Sequence, residues 1–526
     1  MSVQIKFCGA AGTVTGSCYW IQTDTHQFLV DCGLFQGTKT VKELNYNDFP
    51  FNATAIDFVL LTHAHTDHSA LVPKLVKAGF KGPIYTTAAT RDLMKYMLPD
   101  SAYIQEIEVE RLNRRNQRRG KPIVQPIYTR KDAEITLTQV RTVTYEDWIE
   151  PCANTRARFW NAGHILGSAS IEIEIQDNTE TIRLLFSGDI GPDNKLFHAE
   201  PDAPSDFDYV ICESTYGGRV RKEITTEERK AVLASEIKDA MKAGGDLVIP
   251  SFAVERTQEL LLDIADLLKT GEIPCGHVFL DSPLAIKITS VFAKHADELQ
   301  DVSNGESPFD NPKFRFTESV EESKSIARFT GGVIILAASG MCDAGRIRHH
   351  LKNHLWRPES TILLVGYQAE GTLGRLLEQG IRSVHIQGEA IRVRARIRKI
   401  DTYSGHADGN GLIAWMTARK PVRKAVFLTH GSDVSLHAMQ KSLLEVGFES
   451  DKLIIPDLDD SFTLSGSGTT IKLAPDDTRM EPDAIEKLDW HNELAQLTLD
   501  IRASLEKEPD NRKKSKLLNK LYKILK

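Results

Sequence analysis

The sequence predicts an α/β protein in which a second α/β unit is inserted into the first and a charged helical extension follows. Three observations lead there. Four apolar runs of strand character each end in a residue able to bind metal or move a proton. Phe58-Val59-Leu60-Leu61 runs into Thr62-His63, Leu184-Leu185-Phe186 into Ser187-Gly188-Asp189, Tyr209-Val210-Ile211 into Cys212-Glu213, and Ala425-Val426-Phe427-Leu428 into Thr429-His430. Polar residues repeated at strand ends are how α/β folds build sites, because strands fix the side chains while loops leave room for substrate. Residues 206–390, flanked on both sides by metal-ligand candidates, alternate strand and helix patterns over a length no loop would have. From Asp476 the chain is charged, with helical apolar spacing at Leu494, Leu497, Leu499 and Ile501 and then the basic Lys513-Lys514-Ser515-Lys516.

The elements follow in order. Met1 to Ile21 alternates like strand-turn-strand around Gly9, Gly12 and Gly16, without the basic head and continuous apolar core of an export signal. Elsewhere no run approaches the ~18 apolar residues of a membrane helix. A cytoplasmic protein without a membrane span is expected. The strand Arg156 to Trp160 leads into a glycine-flanked loop, Gly163-His164-Ile165-Leu166-Gly167-Ser168. In the inserted unit, Leu247-Val248-Ile249, His277 to Leu280, Gly332 to Leu336 and Ile362 to Val365 read as strands, and Thr257 to Leu268 and Ser282 to His295 as helices. Seven cysteines (Cys8, Cys18, Cys32, Cys152, Cys212, Cys275 and Cys342) form no C-x-x-C pair, so buried thiols are expected rather than disulfides or a cysteine zinc site. No internal repeat is evident.

The densest chemistry is His63-Ala64-His65-Thr66-Asp67-His68, which packs four metal-ligand side chains into six residues where a buried strand ends. Imidazoles with a carboxylate suit a borderline divalent ion such as zinc, and the strand-to-loop exit lets alternate side chains converge. Such a cluster can serve two metals. With only 16 histidines in 526 residues, this spacing points to a metallohydrolase rather than to a chance surface cluster.

With Asp31 in Val30-Asp31-Cys32-Gly33, the 63–68 cluster, His164 and Asp189 resemble the four motifs of the metallo-β-lactamase fold. Glu213 in Glu213-Ser214-Thr215-Tyr216-Gly217, His406 in Ser404-Gly405-His406-Ala407-Asp408 and His430 in Leu428-Thr429-His430-Gly431 resemble three further motifs of the β-CASP nucleases. Residues 1 to about 475 are covered, in order. The resemblance implies an αββα sandwich (residues 1–205 and 391–475, the second part carrying an RNA-metabolising motif), an inserted β-CASP domain (206–390) and a helical extension (476–526). It implies one zinc held by His63, His65, His164 and Asp189 and a second held by Asp67, His68, Asp189 and His430, with Asp189 bridging. Asp31 would orient a ligand imidazole, and His406, held by Glu213, would protonate the leaving oxygen of a phosphodiester. From the residues alone, Asp31 also reads as a turn aspartate, and His406 as the cap of a helix starting near Asp408 with Glu213 solvated.

The implied activity is a zinc-dependent ribonuclease acting on single-stranded RNA. Histidine at 430 favours RNA, since DNA-directed relatives typically have valine there. A DNA nuclease of the same fold, a non-catalytic scaffold of an RNA-processing complex and a small-molecule ester hydrolase are the rivals. The full ligand set argues against the scaffold, and the large inserted domain has no evident purpose in an ester hydrolase. Glycine turns and small hydroxyls of the inserted unit suit a phosphate backbone, which singles out Ser251, Arg256, Ser339, Gly340, Arg346 and Thr372 as substrate contacts. Tight turn packing is the competing reading. The sequence departs from the family at Gly405 (commonly alanine), Glu255 (commonly glycine) and Ser432 (commonly glutamate); Glu255 sets a negative charge beside Arg256.

A net charge of −7 advertises no general attraction to nucleic acid, so RNA binding must be local. Two segments could supply it. Arg111, Arg114, Arg115, Arg118, Arg119 and Lys121 follow Glu106, Glu108 and Glu110 on one helix, equally an RNA contact or a surface sorted by the helix dipole. Arg392, Arg394, Arg396 and Arg398 alternate with apolar residues as a strand with one basic face, either solvated or lining a channel before His406. The extension's helix would pack on the body or on a second copy of the chain, leaving a homodimer open.

Overall fold

The computed structural model describes residues 3–177, 180–193, 195–222, 224–300, 309–368, 372–474, 478–480, 501, 505, 508 and 510–524. Two mixed sheets pack face to face. The first has eight strands in the order Ile471–Lys472, Ser461–Leu464, Val3–Phe7, Tyr19–Gln22, Gln27–Val30, Phe58–Leu60, Ile84–Thr87, Val140–Val143. The second has seven, in the order Leu453–Ile454, Val422–Thr429, Phe207–Glu213, Glu180–Phe186, Ala169–Asp177, Thr155–Asn161, Ile149–Cys152. Alternate residues of both sheets fill the space between them: Ile5, Phe7, Phe28, Val30 and Phe58 from one, Ile171, Ile173, Leu184, Phe186 and Phe427 from the other. Period-two burial of this kind is what alternating strands dictate. The outer face of the second sheet is covered by the helices Gly409–Ala418 and Asp433–Glu445, through Leu412, Met416, Leu436, Met439 and Leu443. The helices Val72–Lys77 and Ala88–Arg118 belong to the core on the outer face of the first. The result is the αββα sandwich that the sequence predicts.

The inserted unit is built on a six-stranded sheet, every ladder of which is parallel: Phe314–Phe316, His277–Leu280, Val333–Ala337, Leu247–Pro250, Thr361–Val365, Arg396–Ile400. Parallel strands need crossovers, here helices such as Arg256–Lys269 and Pro283–Lys294, and burial on both faces makes the strands continuously apolar. Sheet membership differs from the sequence reading at both ends of the insertion. Phe207–Glu213 lies in the sandwich, parallel to Val422–Thr429, and Arg396–Ile400 lies in the inserted sheet beside Thr361–Val365.

The expected basic strand over 391–398 is not one strand. Glu389–Arg392 pairs with Ser383–Ile386 in a separate hairpin, and Arg396–Ile400 starts after a break. Arg396 donates to the main-chain oxygen of Asp239 and to Thr361, and Arg398 is paired with Glu236 at 2.7 Å. Alternation alone did not reveal that the two halves join different sheets. All seven cysteines are free thiols, six of them buried. Among the described residues no helix is long and apolar enough to cross a membrane. Within the extension, Asn511–Ile524 is a helix carrying Lys513, Lys514 and Lys516, while Leu494, Leu497 and Leu499 lie outside the described residues.

Candidate metal centre

The site forms where strand ends of both sheets meet. His63 follows Phe58–Leu60, His65 precedes the one-turn helix Thr66–Ser69 that carries Asp67 and His68, Asp189 follows Glu180–Phe186, and His430 follows Val422–Thr429. Glu213 pairs with Thr429 in the parallel ladder, so the sheet itself sets it beside His430. The 63–68 segment is tied to the loops before it by Cys32 N–H to the His68 carbonyl (2.8 Å) and Ser17 N–H to that of Asp67 (2.9 Å). Glycine is required at 33, where a Cβ would lie 1.6 Å from the Asp67 oxygen.

Asp189, buried, stands between two sets of imidazoles. Its Oδ2 lies 3.5 Å from both His63 Nε2 and His164 Nε2, and His65 Nδ1 is 3.2 and 3.1 Å from those same nitrogens. Its Oδ1 lies 3.2 Å from His68 Nε2 and 3.7 Å from His430 Nε2, which are 3.2 Å from each other; Asp67 Oδ2 is 3.7 Å from His430 Nε2. The side chains that the sequence singles out thus stand in two groups, His63, His65 and His164 on one side of Asp189 and Asp67, His68 and His430 on the other, and both groups could hold a metal ion.

The far side of each ring explains why the near nitrogens can bind a cation. His164 Nδ1 donates to the Gly405 carbonyl (2.7 Å) and His68 Nδ1 to Asp31 Oδ2 (2.7 Å), neither of which can donate back. Their Nε2 atoms therefore carry lone pairs into the site unless a second proton is bound. His63 Nδ1 and His430 Nδ1 are likewise held from outside, by the hydroxyls of Thr62 and Thr215, each at 3.0 Å. Burial keeps His63 and His164 below their ordinary pKa and brings His65 down to about 3, so these three are neutral at neutral pH, as metal ligation requires. Burial also works against charge on His68 and His430, but Asp189, with Asp31 beside the first and Asp67 beside the second, outweighs it and raises both. Asp189 in turn is held well below the carboxylate range by His430, His68 and His406 in spite of its burial. Its Oδ1 accepts no well-aligned hydrogen bond, although His68 Nε2 stands 3.2 Å away as an ion-pair partner. Converging imidazole nitrogens with the carboxylates of Asp189 and Asp67 are a site that fits divalent cations, and the nitrogen and oxygen donor set fits zinc.

Asp31 (φ 58°) is no ordinary turn residue: it accepts from Thr62 N–H (2.8 Å) and Thr62 Oγ1 (2.8 Å) as well as from His68. Nor does His406 cap the following helix, since Asp408 does so through Gly411 N–H (3.0 Å). His406 Nδ1 is 3.2 Å from Glu213 Oε1, and its Nε2 lies 4.0 Å from Asp189 Oδ2. Glu213 is buried, accepting from the N–H groups of Ile190 (2.6 Å) and Thr215 (3.2 Å), and so is not solvated. His406 and Asp67, with side chains 21% and 20% exposed, are half-buried, as is His65, whereas His63, His68, His164 and His430 are buried.

The expected substrate contacts are not brought to this centre as a group. Ser251 is buried against the Thr257 hydroxyl at 2.8 Å, and Arg256 is buried with its guanidinium on the Val365 carbonyl (2.8 Å). Arg346 is held by Asp281 (2.7 Å) and the carbonyls of Thr317 and Glu318. Gly340 is buried where a Cβ would meet the Phe252 ring at 2.9 Å. Ser339 is half-buried, its hydroxyl accepting from Ala344 N–H, and Thr372 caps the helix Leu373–Glu378. Turn packing and internal pairing thus account for Ser251, Arg256, Gly340 and Arg346. Ala369, Glu370 and Gly371 of the neighbouring glycine-rich stretch lie outside the described residues.

Sequence reasoning missed Thr62, Thr215 and the Gly405 carbonyl, whose only signal is adjacency to a motif. It also missed a cross-domain tie. Glu255, buried at φ 70°, puts its carboxylate 2.5 Å from His198 Nε2 and 3.4 Å from Lys195 Nζ, and accepts from Leu166 N–H (3.2 Å) in the His164 loop. Lys195 also donates to the His164 carbonyl. The charge that looked unfavourable beside Arg256 points instead into the sandwich.

Comparison with known proteins agrees with this architecture. The metallo-beta-lactamase superfamily matches residues 11–277, the Beta-Casp domain 257–377 and the Zn-dependent metallo-hydrolase RNA specificity domain 390–453. The chain is 33% identical over 446 residues to "Ribonuclease TTHA0252" of Thermus thermophilus, covering 84% of this chain and 96% of that one. It is 30% identical over 444 residues to "Transcription termination factor FttA" of Methanosarcina mazei, covering 82% and 67%. The chain belongs to the β-CASP family of the metallo-β-lactamase superfamily, and is a metal-dependent hydrolase.

Proposed function

We propose that this protein is a zinc-dependent ribonuclease that hydrolyses phosphodiester bonds of single-stranded RNA, as an endonuclease, a 5′ exonuclease or both, with two zinc ions per chain. The observation that carries the reading is Asp189 presenting one oxygen to His63 and His164 and the other to His68 and His430, with His406 4.0 Å away. His63, His65, His164 and Asp189 would hold one ion, and Asp67, His68, His430 and Asp189 the other. When bound there, zinc would supply Lewis acidity that attracts a phosphodiester and makes a bound water more acidic. The chain's own residues do the rest. Asp31, Thr62, Thr215 and the Gly405 carbonyl fix ring orientation and direct lone pairs inward. Glu213 accepts from His406 Nδ1, leaving Nε2 to carry a proton to the departing oxygen.

RNA is favoured over DNA by the relative named as a ribonuclease, by the match to an RNA specificity domain and by the histidine at 430. The test is end-labelled single-stranded RNA, bearing 5′-monophosphate or 5′-triphosphate, beside matched DNA, with zinc-loaded and chelator-treated protein. Zinc-dependent cleavage of RNA well above DNA is expected. Equal or better cleavage of DNA would overturn the substrate assignment, and no cleavage of either by zinc-loaded protein would overturn the nuclease reading. Mononucleotide release would identify exonuclease action.

A further inference from the structure

The helix Ala88–Arg118 begins beside the metal centre and ends far from it. At its start, the hydroxyls of Thr87 and Thr90 both donate to the Gly167 carbonyl, three residues from His164. Its first half is buried through Leu93, Met94, Met97 and Leu98, and Asp92 is tied to Lys294 (2.5 Å) and His295 (2.9 Å) of the inserted domain. Beyond Ala102, only Val109 is buried. At about 1.5 Å rise per residue, Arg111 to Arg118 lie roughly 30–40 Å along the helix from Thr90. The projecting end is fastened to the returning chain, Asn113 exchanging two hydrogen bonds with Val124 (both 2.8 Å) and Asn116 donating to the Pro122 carbonyl (3.0 Å).

Arg111, Arg114, Arg115 and Arg118 stand at i, i+3, i+4 and i+7 and so share one helix face, with Arg119 at its end. Among the described residues these five exposed arginines alone line an open concavity of about 460 Å³. Among the described residues Arg114 is paired with Glu110 (2.5 Å), and no ion pair holds the other four. The helix dipole explains only part of this, because its influence fades within the last turn, where Arg115 and Arg118 stand. Arg111 with Arg114 and Arg115, and Arg118 with Arg114 and Arg115, are like-charged neighbours at spacings that disfavour a helix. A protein of net charge −7 has thus gathered five guanidinium groups, the forked donors that match phosphate, on one remote face at a local cost.

We propose that this face is a second RNA-binding surface, grasping the phosphate backbone of an RNA long enough to reach it from the metal centre and making the enzyme prefer long chains. The proposal rests on the ribonuclease reading. Its contacts are electrostatic and independent of sequence. They act on binding of the distant part of the strand and not on the chemical step.

The test uses the full-length, zinc-loaded protein and the triple substitution Arg111→Gln, Arg115→Gln, Arg118→Gln, with single-stranded RNAs running from about 5 to about 40 nucleotides. Wild-type affinity should rise steeply once the RNA can reach the arginines, and the variant should lose that rise, by 10-fold or more. Each lost phosphate contact removes about 0.7 from the salt slope, so three should lower it by about 2 for long RNA. Zinc content and cleavage of the shortest RNA that wild type cuts should be unchanged. Equal affinity of wild type and variant for long RNA would overturn the proposal, as would an equal loss for short and long RNA. A wild-type dimer that becomes monomeric in the variant while RNA affinity stays the same would also overturn it, assigning the face to contact between copies. If wild type cuts no RNA of any length, the ribonuclease reading fails instead, and the length dependence of binding still judges this surface.

Discussion

Replacing Asp31 with asparagine keeps the shape of the side chain and reverses the polarity of one of its atoms. The carboxylate accepts from Thr62 N–H through Oδ1, and from Thr62 Oγ1 and His68 Nδ1 through Oδ2. With the amide oxygen kept on the Thr62 N–H, the amide NH2 faces His68 Nδ1, which must then accept. The imidazole proton moves to Nε2, the nitrogen that lies 3.2 Å from Asp189 Oδ1 and from His430 Nε2. A ring with its proton there has no lone pair for a metal. Loss of such an orienting partner weakens metal binding about 10–100-fold, or roughly 1.4–2.7 kcal/mol at about 1.36 kcal/mol per tenfold. Chelator competition followed by zinc release should therefore show two steps in Asp31→Asn. The step from the His68, His430 and Asp67 group should move to 10–100-fold lower chelator concentration, and that from His63, His65 and His164 should stay. Unchanged release of both ions, or an equal shift of both in a protein of unchanged far-UV circular dichroism, would show that Asp31 does not set the His68 tautomer for metal binding.

Other consequences follow from neighbouring contacts. His406→Ala should keep both ions and bind RNA while losing ~10²–10⁴-fold in cleavage rate; near wild-type turnover would remove it from proton delivery, and loss of zinc would make it a ligand. Burial opposes charge on Glu255, but His198 and Lys195 prevail and bring its pKa down to about 2 from the ordinary 4.5. A depressed folded-state value means stability present above about 4.5 and lost as pH falls toward 2. The difference in urea midpoint between wild type and Glu255→Gln should thus shrink across that window, and a constant difference would show that Glu255 carries no buried charge. Arg479 joins Asp459 at 2.8 Å and donates to the Cys8 carbonyl, so Arg479→Ala, or truncation near residue 475, should destabilise the fold by about 3–5 kcal/mol by leaving buried Asp459 unpaired. A truncated protein with an unaltered unfolding midpoint would show the extension to be dispensable.

Most of the centre was legible because metal ligation leaves local marks. His63, His65, Asp67 and His68 are close in sequence, and Asp189, Glu213 and His430 each end an apolar strand that the sandwich core demands. The residues that aim them were not legible. Thr62 and Thr215 are ordinary hydroxyls, and the Gly405 carbonyl is main chain. Glu255 was visible only as a departure from glycine, a residue that tolerates its positive φ; its partners lie some 60 residues earlier, across a domain boundary. The expected substrate contacts were ambiguous for a related reason. A small hydroxyl or an arginine near a glycine turn serves packing as well as phosphate, and only burial separates the two. For Ser251 and Arg256 burial decides for packing. The alternating arginines of 392–398 looked like one strand because period two carries no information about which sheet a strand joins.

If one carboxylate serves two metal sites, zinc analysis of the purified wild type beside Asp189→Ala will show it. About two zinc ions per chain are expected in wild type, with both weakened in the variant because each site loses the same shared ligand. Full retention of both ions by a folded Asp189→Ala protein would show that Asp189 is not a shared ligand.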